Sequence, residues 1–111
     1  MPGPFHDARA AAVFKADKLG KVSLFESARM FCDVYALMPG QSQAGHVHAD
    51  NDKLYVLLEG RCRVTVGPES RTLAAGELAV AAAGVEHGLH NDGPEPVKLL
   101  AIMAPHPSFK G

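Results

Sequence analysis

Three histidines and one lysine are the residues of this chain whose types and spacing could do chemistry. His46 and His48 flank Val47 in a glycine-containing segment, and His87 lies in a second such segment. On one strand, residues two apart point to the same side, so His46 and His48 would hold their imidazoles on one face, about 6.5 to 7 Å apart at the backbone. That is close enough for both to converge on one ion. Neutral imidazoles suit Zn, Fe, Ni, Cu or Mn, and spacing does not choose among these divalent transition metals. His6 and His106 read as surface residues. His90 has the opposite strand parity to His87 and is expected to face outward or lie at a rim.

The glycines around these histidines add a pattern. The first segment runs Gly40, five residues, His46, one residue, His48, four residues, Lys53, six residues, Gly60. The second runs Gly76, five residues, Ala82, one residue, Gly84, two residues, His87, three residues, Asn91. These resemble the two cupin motifs, G(X)5HXH(X)3–4E(X)6G and G(X)5PXG(X)2H(X)3N. Two positions depart from them: Lys53 stands where the glutamate belongs, and Ala82 replaces the proline. The resemblance covers roughly residues 38 to 104. It implies an all-β fold, an antiparallel β-sandwich or jelly-roll barrel, with His87 supplying a third nitrogen to His46 and His48 across the barrel. The division expected from it is an N-terminal extension over 1–20 and a single barrel domain over 21–111.

Lys53 is the informative departure. A protonated lysine has no lone pair and cannot bind a metal. An ammonium in place of a carboxylate moves the local charge by two units and opposes a divalent ion in a partly dry barrel. Three outcomes relieve this. In the first, a three-histidine site stands alone and Lys53 loses its proton, pairs with Asp50 or Asp52, or holds an anionic substrate group. In the second, Asp52 becomes a fourth ligand, at the cost of a shifted register. In the third, the pocket holds no metal. The three-histidine site ranks first.

The elements that must position these residues are strands. Apolar residues alternate or cluster at Val22–Phe25, Met30–Met38, Lys53–Leu58, Cys62–Val66, Arg71–Leu73, Leu78–Ala81, Gly88–His90 and Val97–Met103. Turn-forming pairs such as Pro39-Gly40, Glu59-Gly60 and Gly67-Pro68 separate them, an all-β pattern. The one helical candidate is Ala8 to Phe14. If the two motif histidines point inward, the family pattern puts Lys53, Tyr55 and Leu57 inside. Cys62, Val64 and Val66 follow on the next strand, with Arg61, Arg63 and Thr65 in water. Pocket-wall candidates are Tyr55, Leu57, Val64, Phe31 or Cys32, and Met103. Met30 and Met38, with Met103, read as core filling rather than soft copper ligands. Glu86 has the wrong parity to reach the ion, and Asn91 is expected to fix a turn. Leu54, Val56 and Leu58 form a second apolar set on the outer face. Either the N-terminal segment or a second copy of the chain, in a homodimer, must cover it.

Bulk properties narrow the function. At 111 residues the chain is expected to form one domain. With 11 Lys and Arg against 12 Asp and Glu, it carries no nucleic-acid footprint. The N-terminus lacks the basic start and apolar core of a signal peptide, and no apolar run reaches spanning length. A cytoplasmic protein that does not engage membranes is expected, with Cys32 and Cys62 as free thiols. The resemblance implies a small metal-dependent cupin acting on a small organic, anionic metabolite. Oxygenase-type chemistry leads, dioxygenase-like or else isomerase-like, with Tyr55 and Lys53 as catalytic candidates. The alternative is a non-catalytic module that binds or senses a small anion, with or without metal.

Overall fold

The computed structural model describes residues 3–108. Among these residues a short helix α1 (Ala8–Ala11) precedes nine strands: β1 (Gly20–Ser27), β2 (Met30–Leu37), β3 (Ser42–His46), β4 (Asp52–Glu59), β5 (Arg61–Val66), β6 (Glu69–Ala74), β7 (Leu78–Ala81), β8 (His87–His90) and β9 (Val97–Ala104). All their pairings are antiparallel. They form a five-stranded sheet ordered β1-β2-β9-β4-β7 and a four-stranded sheet ordered β3-β8-β5-β6. The two sheets make the antiparallel jelly-roll sandwich that the motif resemblance implies.

Period-two alternation builds the interior. Lys53, Tyr55 and Leu57 of β4 are buried, while Leu54, Val56 and Leu58 are only half-buried. On β5, Cys62 and Val64 are buried and Arg61, Arg63 and Thr65 are exposed. Tyr35, Leu37, Leu99 and Ala101 from the five-stranded sheet close against Cys62, Val64, Leu73 and Leu89 from the other. Burying large apolar side chains contributes about 1.5–3 kcal/mol each, which makes this intersheet layer the main source of stability. Cys32 and Cys62 are free thiols, half-buried and buried respectively.

The connections that hold the histidine segments are tight. Gly60 has φ +83°, and a side chain there would run into the Pro96 carbonyl, so only glycine fits the β4–β5 turn. Asn91 is fully buried. Its Nδ2 donates to Leu37 O (3.1 Å) and Glu95 O (2.8 Å), and its Oδ1 accepts from Gly93 N at 3.2 Å, which ties the β8–β9 turn to the end of β2.

Several expectations are corrected. The helix stops at Ala11 instead of reaching Phe14, because the chain turns extended at Ala12 (φ −64°, ψ 137°). A four-residue turn capped by Asp7 is too short to propagate alone. The segment Ser42–His46 is a strand although its residues show no apolar alternation; pairing with β8 supplies its order. Met38 is 39% exposed and lies just past β2, so it does not fill the core.

The outer face of the five-stranded sheet is covered in part. The α1 turn packs on β2 and β9, and the outward Val34 and Ala36 are fully buried. Toward the β7 edge the apolar surface continues uncovered, with Leu78 53% and Val80 55% exposed.

Candidate metal centre

His46 ends β3 and His87 begins β8, and the two are directly paired across the strands. The ladder is irregular between Gln43 and His46. His48 lies two residues beyond the end of β3. The two motif histidines therefore do not share one strand face, as their spacing predicts; the chain leaving the strand returns the second ring to the first. Ring centroids lie 4.3 Å apart for His46 and His87, 4.9 Å for His46 and His48, and 5.7 Å for His48 and His87. One ring nitrogen from each falls within 4.8 Å of the others.

The backbone orients two of the rings. His46 Nδ1 lies 2.9 Å from Ala44 O, and His87 Nδ1 lies 3.0 Å from Val85 O. A carbonyl only accepts, so each Nδ1 carries the proton and each Nε2 keeps its lone pair. His87 is 2% exposed, and its Nε2 is buried without a hydrogen-bond partner among the described residues. Such an orphan costs about 1–3 kcal/mol unless something binds it. Burial pushes the His87 imidazole below its usual range, opposed by the Val85 carbonyl and reinforced by the charges of His46, Lys53 and His48. Burial likewise lowers His48, with His46 and Lys53 adding to it. Neutral imidazoles are the form that ligates a metal. The donor set therefore fits a divalent transition ion.

Lys53 lies on β4, 2% exposed, and its partners in the neighbouring strands are Ala81 and Met103. Its ammonium sits 5.0 Å from the Tyr55 ring centroid and 5.6 Å from that of Tyr35. Burial lowers its pKa to about 8, helped by Lys21 and opposed by Asp33. It has no carboxylate within ion-pair distance among the described residues. The expected pairing with Asp50 or Asp52 is not formed. Asp52 is exposed, one residue out of phase with Lys53, and its Oδ1 accepts the Ala83 N–H at 2.9 Å. The same parity removes it as a fourth ligand.

Tyr55 packs edge-on to His87, centroids 5.9 Å apart, and its hydroxyl donates to Gln43 Oε1 at 2.8 Å. Burial raises its pKa, with Tyr35 and Cys62 adding to the effect. Tyr35 is pushed up to about 12 by burial, against a hydrogen bond from Gln43 and with a further rise from Asp33. A cavity of about 410 Å3 opens over His46, His48 and Lys53, walled by Phe31, Tyr35 and Met103. Of the wall candidates, Phe31 and Met103 line it; Tyr55 does not, being fully buried behind Gln43, to which it donates. Leu57 and Val64 belong to the intersheet core, and Cys32 has the opposite parity to Phe31.

The structure thus brings His46, His48, His87, Lys53 and Tyr55 together. His6, Glu86 and His90 are exposed, as their positions predict. His106 is not a surface residue: it is 9% exposed, its Nε2 lies 2.9 Å from Glu26 Oε2, and its ring meets Phe31 edge-on. Lys21, Tyr35 and Gln43 were missed. Tyr35 shares a face with Phe31 by parity, a legible signal, but Lys21 and Gln43 sit in polar stretches where nothing local marks a pocket.

Known proteins carry the same arrangement of strands. The TT1209 protein from Thermus thermophilus is 44% identical, with a TM-score of 0.88 over 91% of this chain and 96% of that one. A Klebsiella pneumoniae protein with a double-stranded β-helix domain is 25% identical, with a TM-score of 0.86 over 94% and 91%. The Streptomyces coelicolor protein SCO3923 is 33% identical over 76 residues, 68% of this chain and 70% of that protein. The model of the cupin domain matches residues 33–103. Fold, motif glycines and inward histidines agree with that match, and the chain belongs to the cupin domain family.

Proposed function

We propose that this chain is a metal-dependent cupin enzyme, holding one divalent transition ion on His46, His48 and His87 and acting on a small anionic metabolite by oxygenase-type chemistry. The observation that carries this reading is the buried, unpartnered Nε2 of His87 beside two further imidazoles, with Nδ1 of His46 and His87 already engaged by carbonyls. With three protein ligands, a bound ion would keep open coordination positions and supply Lewis-acid or redox chemistry there. The chain's own residues bind and orient. Lys53 attracts the anion, Tyr55 steadies Gln43 in the cavity wall through its hydroxyl, and Phe31 and Met103 exclude water from one wall.

The second reading is a non-catalytic module that binds or senses a small anion. Lys53 favours it, because a cation stands where the family motif has a carboxylate. Elemental mass spectrometry on untagged protein separates the two readings. About one metal per chain, lost in His46→Ala, supports the enzyme; less than about a tenth after adding metals back leaves the anion module.

Two further points belong to the same reading. The apolar strip at Leu78 and Val80, continuing over the half-buried Leu54 and Val56, is the surface of a homodimer. A cytoplasmic location accords with two free thiols. Among the described residues, no helix is long and apolar enough to cross a membrane.

A further inference from the structure

Two amines converge on the cavity beside the histidines. Lys53, on β4, reaches it from below, 2% exposed, and Lys21, on β1, stands at its exposed mouth. Their Nζ atoms lie 5.6 Å and 5.1 Å from the centroid of the same Tyr35 ring. Neither forms an ion pair among the described residues. Asp33 is the nearby carboxyl, felt by Lys21 as well as by Lys53; it stays outside ion-pair distance of both, and burial raises its own pKa against their charges. An interior ammonium without a counter-ion is unfavourable, and an ion on the histidines would add to the positive charge. An anion entering the cavity relieves both.

The chemistry around the amines selects the anion. Two single-point amine donors can meet the two oxygens of a carboxylate, and what favours an organic acid over a bare inorganic anion is the apolar wall beside them. Gln43 Oε1 accepts from Tyr55 at 2.8 Å, and Gln43 and Tyr35 line the cavity beside the amines. Phe31 and Met103 offer an apolar wall beside these donors.

We infer that the cavity takes an organic carboxylate, its oxygens clasped between Lys21 and Lys53 and its apolar body against Phe31 and Met103. This deepens the reading of an anionic ligand at this site, and it names Lys21 as a specificity residue.

The test is isothermal titration of the purified protein with benzoate, benzamide and inorganic phosphate, with metal content measured on the same samples. Benzoate is expected to bind at least about tenfold more tightly than benzamide or phosphate, and Lys21→Met and Lys53→Met are each expected to weaken it about tenfold or more. Lys21 is exposed, so its variant keeps the fold, and circular dichroism checks both. In EDTA-treated, metal-free protein, benzoate binding is expected to persist. Benzamide or phosphate binding as well as benzoate would overturn the clasp, as would unchanged affinity in both lysine variants. Loss of binding on metal removal alone would place the carboxylate on the metal and overturn it too. Protein that holds metal but not benzoate sinks the clasp and spares the metal reading; protein that binds benzoate without metal does the reverse.

Discussion

His46 and His87 face one another across β3 and β8 with ring centroids 4.3 Å apart, each turned by a bond from Nδ1 to the carbonyl two residues before it. The same local device on two strands far apart in sequence leaves both Nε2 atoms available to one ion. Adding Zn2+ or Mn2+ at about a hundred times its Kd to EDTA-treated protein is expected to add about 2.7 kcal/mol of stability, raising Tm by about 10 °C. In His46→Ala and His87→Ala the shift is expected to vanish. Differential scanning fluorimetry reads it, and an equal shift in the variants would refute the site.

Lys53 gives a pH signature. Its pKa falls from 10.5 to about 8 on folding. Between those values the unfolded chain holds the extra proton, so stability rises with pH across that window, and the full penalty is present below it. At pH 7 the shift corresponds to about 3 kcal/mol at most. Lys53→Met in metal-free protein is therefore expected to be the more stable at pH 7, with the gap closing toward pH 10 in urea titrations. A gap independent of pH would contradict the assignment.

Tyr55→Phe removes the 2.8 Å bond that the Tyr55 hydroxyl donates to Gln43 Oε1. The expected cost is about 1–2 kcal/mol in urea unfolding, the usual range for a part-buried acceptor left without its partner. No loss would show that solvent reaches Gln43.

Asn91→Ala takes away both Nδ2 bonds and the Oδ1 acceptor of Gly93 from a fully buried position. The expected cost is about 3 kcal/mol, because the carbonyls of Leu37 and Glu95 lose their donor in the β8–β9 turn. Chemical denaturation measures it, and a loss below about 1 kcal/mol would mean the turn holds without the side chain.

Val80, 55% exposed on the edge strand β7, is the probe for association. Light scattering is expected to give twice the 11.7 kDa chain mass for the parent protein and the single mass for Val80→Glu. A monomeric parent would refute the homodimer.

Strand parity is a local property, and it made much of this molecule legible. Residues two apart share a face whatever the rest of the chain does, so Lys53, Tyr55 and Leu57 could be read as inward and Arg61 and Arg63 as outward. Motif spacing located His46, His48 and His87 for the same reason: glycines at turns and histidines at fixed offsets are chain-local facts.

What the sequence could not decide is what depends on contacts between distant segments. The residues Ser42–His46 carry no alternation, and pairing with β8 makes them a strand. His48 joins the other two rings from beyond the strand end, through the path of a loop. His106 is buried because Glu26, eighty residues earlier, meets it. Asp52 and Lys53 are neighbours in sequence, yet the strand sends one to solvent and the other under Tyr35, beside a lysine from β1. The sequence by itself determined the strands, through their period, and, through its resemblance to the two cupin motifs, the sandwich, the inner faces and the three histidines, because period and motif offsets are both properties of one chain. Only the tertiary structure decided which polar groups meet in the cavity, because that rests on sheet order and strand register, which join residues no local pattern relates.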